Sequence, residues 1–397
     1  MLYGQQNTVL NPGNRKQWAT MAEPKKEPSL PLVSIIIPAY NAERFIGETL
    51  RSVLLQTYQN IEIVVVDDGS KDDTAAIVRQ FAERDPRIIL IQQPNSGVAA
   101  ARNCAIKYSR GEFIAPIDSD DIWYPHKIEK QVACILHASA DTGLVYAWSA
   151  HIDEEGCLTG GYNAGDREGS VLIDLVYRDF IGNGSVPLIR RTCLDVVGGY
   201  NKSLRDRGAQ GCEDWELALR VAERYKFLVV AEFLVGYRQA FGSMSSLGIA
   251  MEQSYHLTAA NIKQNHPEIP RVVYKWSRAE FFYYLAQGAR QGGEQWRALT
   301  YILKAAILDP KTILKRDRFF RSTVAILLSI PFQGIAASLW TPKLWHQFRK
   351  RDPLKRKARS LADLSLKVRS EWNAWWGIYE HRLSSLAKLQ KIDDRKV

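Results

Sequence analysis

Residues 33 to 74 read VSIIIPAYNAERFIGETLRSVLLQTYQNIEIVVVDDGSKDDT. Two β-branched runs, VSIII and IEIVVV, bracket a helix-compatible stretch from Glu43 to Gln56. Strands that are apolar at successive positions are buried on both faces, and such strands joined through helices lie parallel. The unit recurs downstream: RIILI (87–91), EFIAPI (112–117) and GLVYAWS (143–149) are further strand-like runs, and Asp73–Arg84, Val98–Ser109 and Pro125–His137 are helix-compatible. The expected class is α/β, a Rossmann-like, mostly parallel sheet with flanking helices. In such a sheet ligands sit at the carboxyl ends of the strands. Those ends read PAYN (38–41), DDGS (67–70), PNSG (94–97) and DSDD (118–121), all polar or turn-forming. One rim should therefore gather Asp67, Asp68, Asp118 and Asp120.

Asp118, Asp120 and Asp121 crowd together directly after an apolar run, and like charges so close raise one another's pKa. Two readings fit. The run caps the helix expected from Pro125, or Asp118 and Asp120, two apart on an extended segment and so on one side of it, hold a divalent cation against a diphosphate. The other three rim motifs favour the cation. DDGS with Asp72, Asp73 and Thr74 is likewise a turn and capping sequence. At a strand end, though, Asp68 can also accept a hydrogen bond from a base imide, worth about 1–3 kcal/mol when buried. Farther on, GCEDWELALRVAERY (211–225) reads as a helix with an acidic first turn.

With 397 residues, 46% of them hydrophobic, the chain can bury a large core and form more than one domain. The formal charge is +10, yet residues 311–397 hold 20 Lys/Arg against 7 Asp/Glu, so the basicity belongs to the C-terminal end. Five widely spaced cysteines without a CxxC pair point to free thiols in a reducing compartment, not to a disulfide framework or a zinc site. Residues 1–31 lack the apolar stretch of a signal peptide and read as a flexible leader. A nicotinamide-dependent oxidoreductase is set aside, because IIIPAYNAE carries no glycine turn after the first strand.

In order and spacing, the 33–74 stretch, NSGVAAARN (95–103) and IAPIDSDD (114–121) resemble the donor-binding half of glycosyltransferase family 2, which has the GT-A fold. The resemblance covers residues 33 to about 240, and its specificity lies in the ordered set. It implies that Pro38, Ala39, Tyr40 and Glu43 line the base and ribose of a nucleotide, that Asp68 contacts the base, and that Gly97, Arg102, Asp118 and Ser119 lie at the sugar nucleotide. Asp118 and Asp120 would form the metal-binding Asp-x-Asp for Mn2+ or Mg2+, Asp120 being the direct ligand. Glu213 and Asp214 match the catalytic acidic pair, with Asp214 as general base and Trp215 shaping the acceptor pocket. Where many relatives have a histidine two positions after Tyr237-Arg238, this chain has Ala240, so a third metal ligand is unassigned. Arg238, Ser243 and Ser245 are candidates for diphosphate contacts.

The implied layout is a leader at 1–31, a GT-A domain at 32–245 with a nucleotide-sugar half (32–150) and an acceptor half (151–245), and a helical, basic, Trp-rich region at 246–397. The implied activity is metal-dependent, inverting transfer of a hexose from a nucleotide diphosphate donor, a UDP-sugar foremost, to a hydroxyl of a glycan or glycolipid in cell-envelope polysaccharide synthesis. A non-catalytic sugar-nucleotide or glycan-binding module is the alternative from another class; intact Asp120, Glu213 and Asp214 favour the enzyme. In the C-terminal third, STVAILLSIPFQGIAASLW (322–340) has no charge over 19 residues, but Ser329, Pro331, Gln333 and Gly334 weaken it as a span. With Trp340, Trp345, Phe348 and the Lys/Arg cluster it reads as a segment on an anionic bilayer surface, each basic residue contributing about 1 kcal/mol. An amphipathic helical domain packed on protein is the other reading of it. No nucleic-acid module precedes the basic end, so nucleic acid is not an expected partner. The expected location is cytoplasmic, at the cytosolic face of a membrane.

Overall fold

The structure is a computed structural model that describes residues 30–239, 248–314, 319–320, 323–324, 326–327 and 360–368. Strands β1 (Val33–Ala39), β2 (Ile61–Asp67), β3 (Ile88–Gln92) and β4 (Phe113–Pro116) run parallel in the order β3-β2-β1-β4. Helices α1 (Ile46–Leu54), α2 (Thr74–Ala82) and α3 (Val98–Tyr108) are their crossovers. Every residue of β1 and β2 is buried, which is what a continuous β-branched run between two helical layers requires. Two of the three polar residues pair, the third being Asp67 at the end of β2: the Ser34 hydroxyl donates to Glu62 (2.6 Å), and Arg110 and the Gly111 N–H fill the remaining capacity of that carboxylate. The expected α/β class is found.

The sheet then continues through β5 (Ile122–Trp123), β6 (Thr142–Ile152), β7 (Leu158–Asn163), β8 (Leu188–Arg190) and β9 (Lys226–Arg238) to nine strands. β8 is antiparallel to both β4 and β6, whereas β9 lies parallel to β6 and pairs antiparallel with β5. Between these strands lie α4 (Lys127–Leu136), α5 (Leu172–Tyr177), α6 (Arg191–Val197), α7 (Ser203–Asp206) and α8 (Glu213–Ala222). Residues 151–238 thus extend the same sheet. β7 and β9 escape the sequence pattern for a physical reason: β7 is half-buried throughout, and β9 mixes exposed, half-buried and buried positions before Phe233 and is mostly buried from there on, with irregular register against Ala147–Ser149.

Helices α9 (Gly248–Asn265), α10 (Arg271–Gln291), α11 (Gln295–Leu308) and α12 (Pro310–Ile313) follow, with α9 against α8 and α10 against α5. Residues 361–368 are helical, and Leu364 and Val368 pack with Trp148, Ala150 and Phe233. Most of the expected leader, nearly all of the apolar stretch 322–340, and Ala240, Ser243, Ser245, Trp340, Trp345 and Phe348 lie outside the described residues. Among the described residues, no helix is long and apolar enough to cross a membrane. All five cysteines are free thiols.

Candidate active site

Because β1 to β4 are parallel, their carboxyl ends share one edge, and the loops there are tied to one another. Asn41 sits at φ +48°, where its N–H donates to the Ser70 hydroxyl and its side-chain oxygen accepts from the Lys71 N–H, both at 2.9 Å. The Glu43 N–H donates to Asp72 and the Glu43 carboxylate accepts the Asp73 N–H, both at 3.0 Å. Glu43 therefore braces the β2–α2 loop. Asp72 caps α2 by accepting the Thr74 N–H and hydroxyl. Asp68 accepts from Gln93 (2.7 Å) and the Ser96 N–H (2.8 Å) on one oxygen, and from the Gly97 N–H (2.7 Å) on the other. Asp67 accepts from the Ser70 N–H and Gln92. These two aspartates hold the loops of the rim, so the expected four-carboxylate convergence does not form a single ion site. Gly97, at φ +88°, carries the chain into α3. Of PAYN, Pro38 and Ala39 are buried within β1, while Tyr40 is half exposed.

The acidic run is a turn, not the extended segment expected. The Asp121 N–H closes onto the Asp118 carbonyl (3.1 Å), and the Ser185 hydroxyl accepts from the Asp118 N–H (3.0 Å). Nor does the run cap α4, whose N-cap is His126. Asp121 is fully buried, accepting from the Ser185 hydroxyl (2.6 Å) and the Arg238 N–H (2.8 Å). Asp118 and Asp120 are left toward the cleft, with Ser119 between them giving its carbonyl to Thr49. Burial, then the charge of Asp118, pushes the Asp120 carboxyl up to about 6. Among the described residues no group of three or more His, Cys, Asp or Glu is placed to hold a metal by itself. Two half-buried carboxylates side by side, Asp118 already paired with Arg102, nevertheless fit Mn2+ or Mg2+, which take one or two protein carboxylates and complete their shell with phosphate oxygens.

Arg238 was a candidate for the diphosphate, and the structure corrects this. It is buried, and its guanidinium donates to the carbonyls of Asp120 (2.6 Å), Asp153 (3.0 Å) and Glu154 (2.8 Å) and to the Glu48 carboxylate (2.5 Å), over the Phe45 ring. Its donors are used in tying the acidic turn to the 153–154 loop and to α1.

Arg102 links the two acidic motifs across 111 residues of sequence. It is 1% exposed, with Nη2 donating to Asp118 (2.5 Å), Nη1 to Glu213 (3.0 Å) and its guanidinium over the Tyr200 ring. The next residue completes the clamp: Asn103 exchanges two hydrogen bonds of 2.7 Å with the backbone of Tyr200. A side chain at Gly199 would collide with Asn103. Glu213 gives its second oxygen to the Gly211 N–H (3.0 Å), so both its oxygens are occupied.

Asp214 is the freer member of the pair, accepting one bond from the Trp215 N–H (2.8 Å). It lines a cavity with Asp179, Asn183, Gly184, Tyr200 and Trp215. Burial, then the charges of Glu213 and Asp179, pushes the Asp214 carboxyl up to about 7, against the opposing pull of Arg102. Trp215 is held by its indole N–H to the Leu175 carbonyl (2.9 Å) and forms part of the cavity wall. Sequence reasoning missed Asp179, Ser185 and Tyr200. Their only signal is position in the turn-rich segments at 179–185 and 198–200.

Residues 34–156 match the model of glycosyl transferase family 2. Chondroitin synthase of Escherichia coli is 40% identical over 201 residues, 49% of this chain and 27% of that protein. UDP-Glc:alpha-D-GlcNAc-diphosphoundecaprenol beta-1,3-glucosyltransferase WfgD of Escherichia coli is 50% identical over 106 residues, 26% of this chain and 41% of that protein. Among solved structures, the mannosyltransferase PcManGT from Pyrobaculum calidifontis, in complex with GDP-Man and Mn2+, aligns with a TM-score of 0.46 at 20% identity, over 87% of this chain and 88% of that one. The chain spans about a quarter to two-fifths of the length of the curated relatives it matches. The likeness to glycosyl transferase family 2 is thus carried by residues 34–156.

Proposed function

We propose that this chain is an inverting glycosyltransferase that moves a hexose from a nucleotide diphosphate sugar to a hydroxyl of a glycan or glycolipid. The observation that carries the reading is Arg102: one buried guanidinium ties the donor-edge Asp118 to Glu213, and so sets Asp214 at a fixed place beside that edge. The donor lies along the rim, with Tyr40 against its base and Asp68 and Gly97 beside it. Asp120 and Asp118 would hold a divalent cation, which would supply neutralisation of the charge on the diphosphate leaving group. Asp214 takes the proton from the acceptor hydroxyl, whose oxygen forms a bond to the anomeric carbon as the bond from that carbon to the diphosphate oxygen breaks. One displacement from the opposite face inverts the centre. The name of the relative that is 50% identical over 106 residues gives UDP-glucose as donor and a lipid-diphosphate acceptor, which supports a UDP-sugar here.

Calorimetric titration of UDP into the full chain tests the donor half of this reading. Binding is expected with Mn2+ present and to weaken at least tenfold without it; affinity for UDP that is indifferent to the metal would remove Asp120 and Asp118 as its holders. In the same reading the basic, Trp-rich C-terminal region meets an anionic membrane. The chain should float with phosphatidylserine vesicles and not with neutral ones, and equal behaviour toward both would remove that partner.

A further inference from the structure

We propose that the outward face of α11, continued by the helical residues 319–327, is the surface on which the chain rests against an anionic bilayer, its apolar side chains entering the boundary between headgroups and acyl chains. This deepens the membrane contact of the proposed reading, and rests on it, by naming the side chains that make it. The inner face of α11 is already occupied: Ala298, Tyr301, Ile302 and Ala305 are buried. Tyr301 stacks on Phe282 of α10 at 5.8 Å and 18° between planes, and its hydroxyl donates to Glu252 of α9 (3.0 Å). The orientation of α11 is therefore fixed. A surface helix held in this way ordinarily turns charged and polar residues to water. Here the outward residues are Trp296, Leu303 and Ile307, each more than half exposed and Ile307 at 78%. At 3.6 residues per turn the three lie within about 60° of one another around the helix.

The same pattern repeats beyond α11. Phe319 and Ile326 are buried, whereas Phe320, Val324 and Leu327, spaced as one helical face, are each more than half exposed. Charge chooses among the occupants such a face could have. Arg297 and Lys304, on the flank of the α11 stripe, already have carboxylates at hand in Glu294 and Glu252. Between the two stripes, however, KTILKRDRFFR (311–321) carries five Lys/Arg and one Asp. A two-fold dimer through this face would set that basic run against its own copy. An anionic leaflet neutralises it while the apolar side chains leave water, and tryptophan with basic neighbours is the composition that settles at the level of the headgroups.

The test uses the full chain and sedimentation with sucrose-loaded vesicles of equimolar phosphatidylcholine and phosphatidylserine. The triple variant Trp296→Gln, Leu303→Gln, Ile307→Gln is expected to bind about tenfold more weakly than wild type or worse, since binding scales with the apolar area inserted. Leu136→Gln of α4 and Val196→Gln of α6, apolar positions as exposed but off this face, should bind as wild type does. The triple variant should also keep the wild-type urea transition and elution volume, because the three side chains lie largely in water. Wild-type binding by the triple variant, or an equal loss in the two control variants, overturns the α11 face and leaves the membrane reading in place; no binding by wild type overturns both. A lower urea midpoint in the triple variant would give the face to another segment of this chain. A wild-type dimer that the triple variant dissolves would give it to a second copy. Either result overturns the proposal.

Discussion

Replacing Asp214 by asparagine is expected to lower sugar transfer by about 10² to 10⁴ and to leave UDP affinity where it was, the usual share of a general base. Asparagine keeps the size of the side chain and can still accept from the Trp215 N–H. It also removes a charge that burial and the neighbouring Glu213 and Asp179 already disfavour, so the fold should not suffer. The partner residue behaves oppositely: Glu213→Gln leaves Arg102 short of a counter-charge in a buried place and should cost stability as well as rate. The adjacent acids are thus separable, one by turnover at constant stability and the other by stability. Wild-type turnover in Asp214→Asn would take the role of base away from it.

The second large effect is on folding. Arg102→Met is expected to destabilise the protein by about 3 to 5 kcal/mol, read as the shift in a urea unfolding curve. An exposed ion pair is typically worth about 0 to 1 kcal/mol. This one differs because the Arg102 and Glu213 side chains are 2% and 7% exposed, so methionine strands an anion that water cannot reach. Asp118, 25% exposed, can recover part of its hydration and adds less. Arg102→Lys keeps the charge but not the fork that spans two carboxylates, and should fall between. A loss below about 1 kcal/mol for the methionine variant would mean that the clamp does not organise the site.

What the sequence disclosed follows from where its signals are local. The β-branched runs of β1 and β2 place the parallel half within a residue or two, because burial on both faces leaves one pattern. The rim followed from the strand ends, since four parallel strands have only one carboxyl edge. Asp118 and Asp120 were legible as acids at a strand end, but not as members of a turn, because the hydroxyl that fixes the turn belongs to Ser185. Arg238 read as a phosphate ligand and proves a brace, because its partners are backbone carbonyls that no side-chain pattern announces. Arg102 was placed near the donor by resemblance alone; that it also reaches Glu213 depends on tertiary contact across 111 positions.

The pH dependence of transfer tests the central claim most directly, that a half-buried aspartate beside a clamped donor edge removes the acceptor proton. A base works in its unprotonated form, so a carboxyl raised to about 7 loses activity as pH falls through 7, where an ordinary carboxylate would still be ionised. The rate at low substrate should rise about tenfold per pH unit below 7 and level off above it, with that limb absent from whatever activity remains in Asp214→Asn. A wild-type profile flat from pH 5 to 8, or an unchanged limb in Asp214→Asn, would contradict the account.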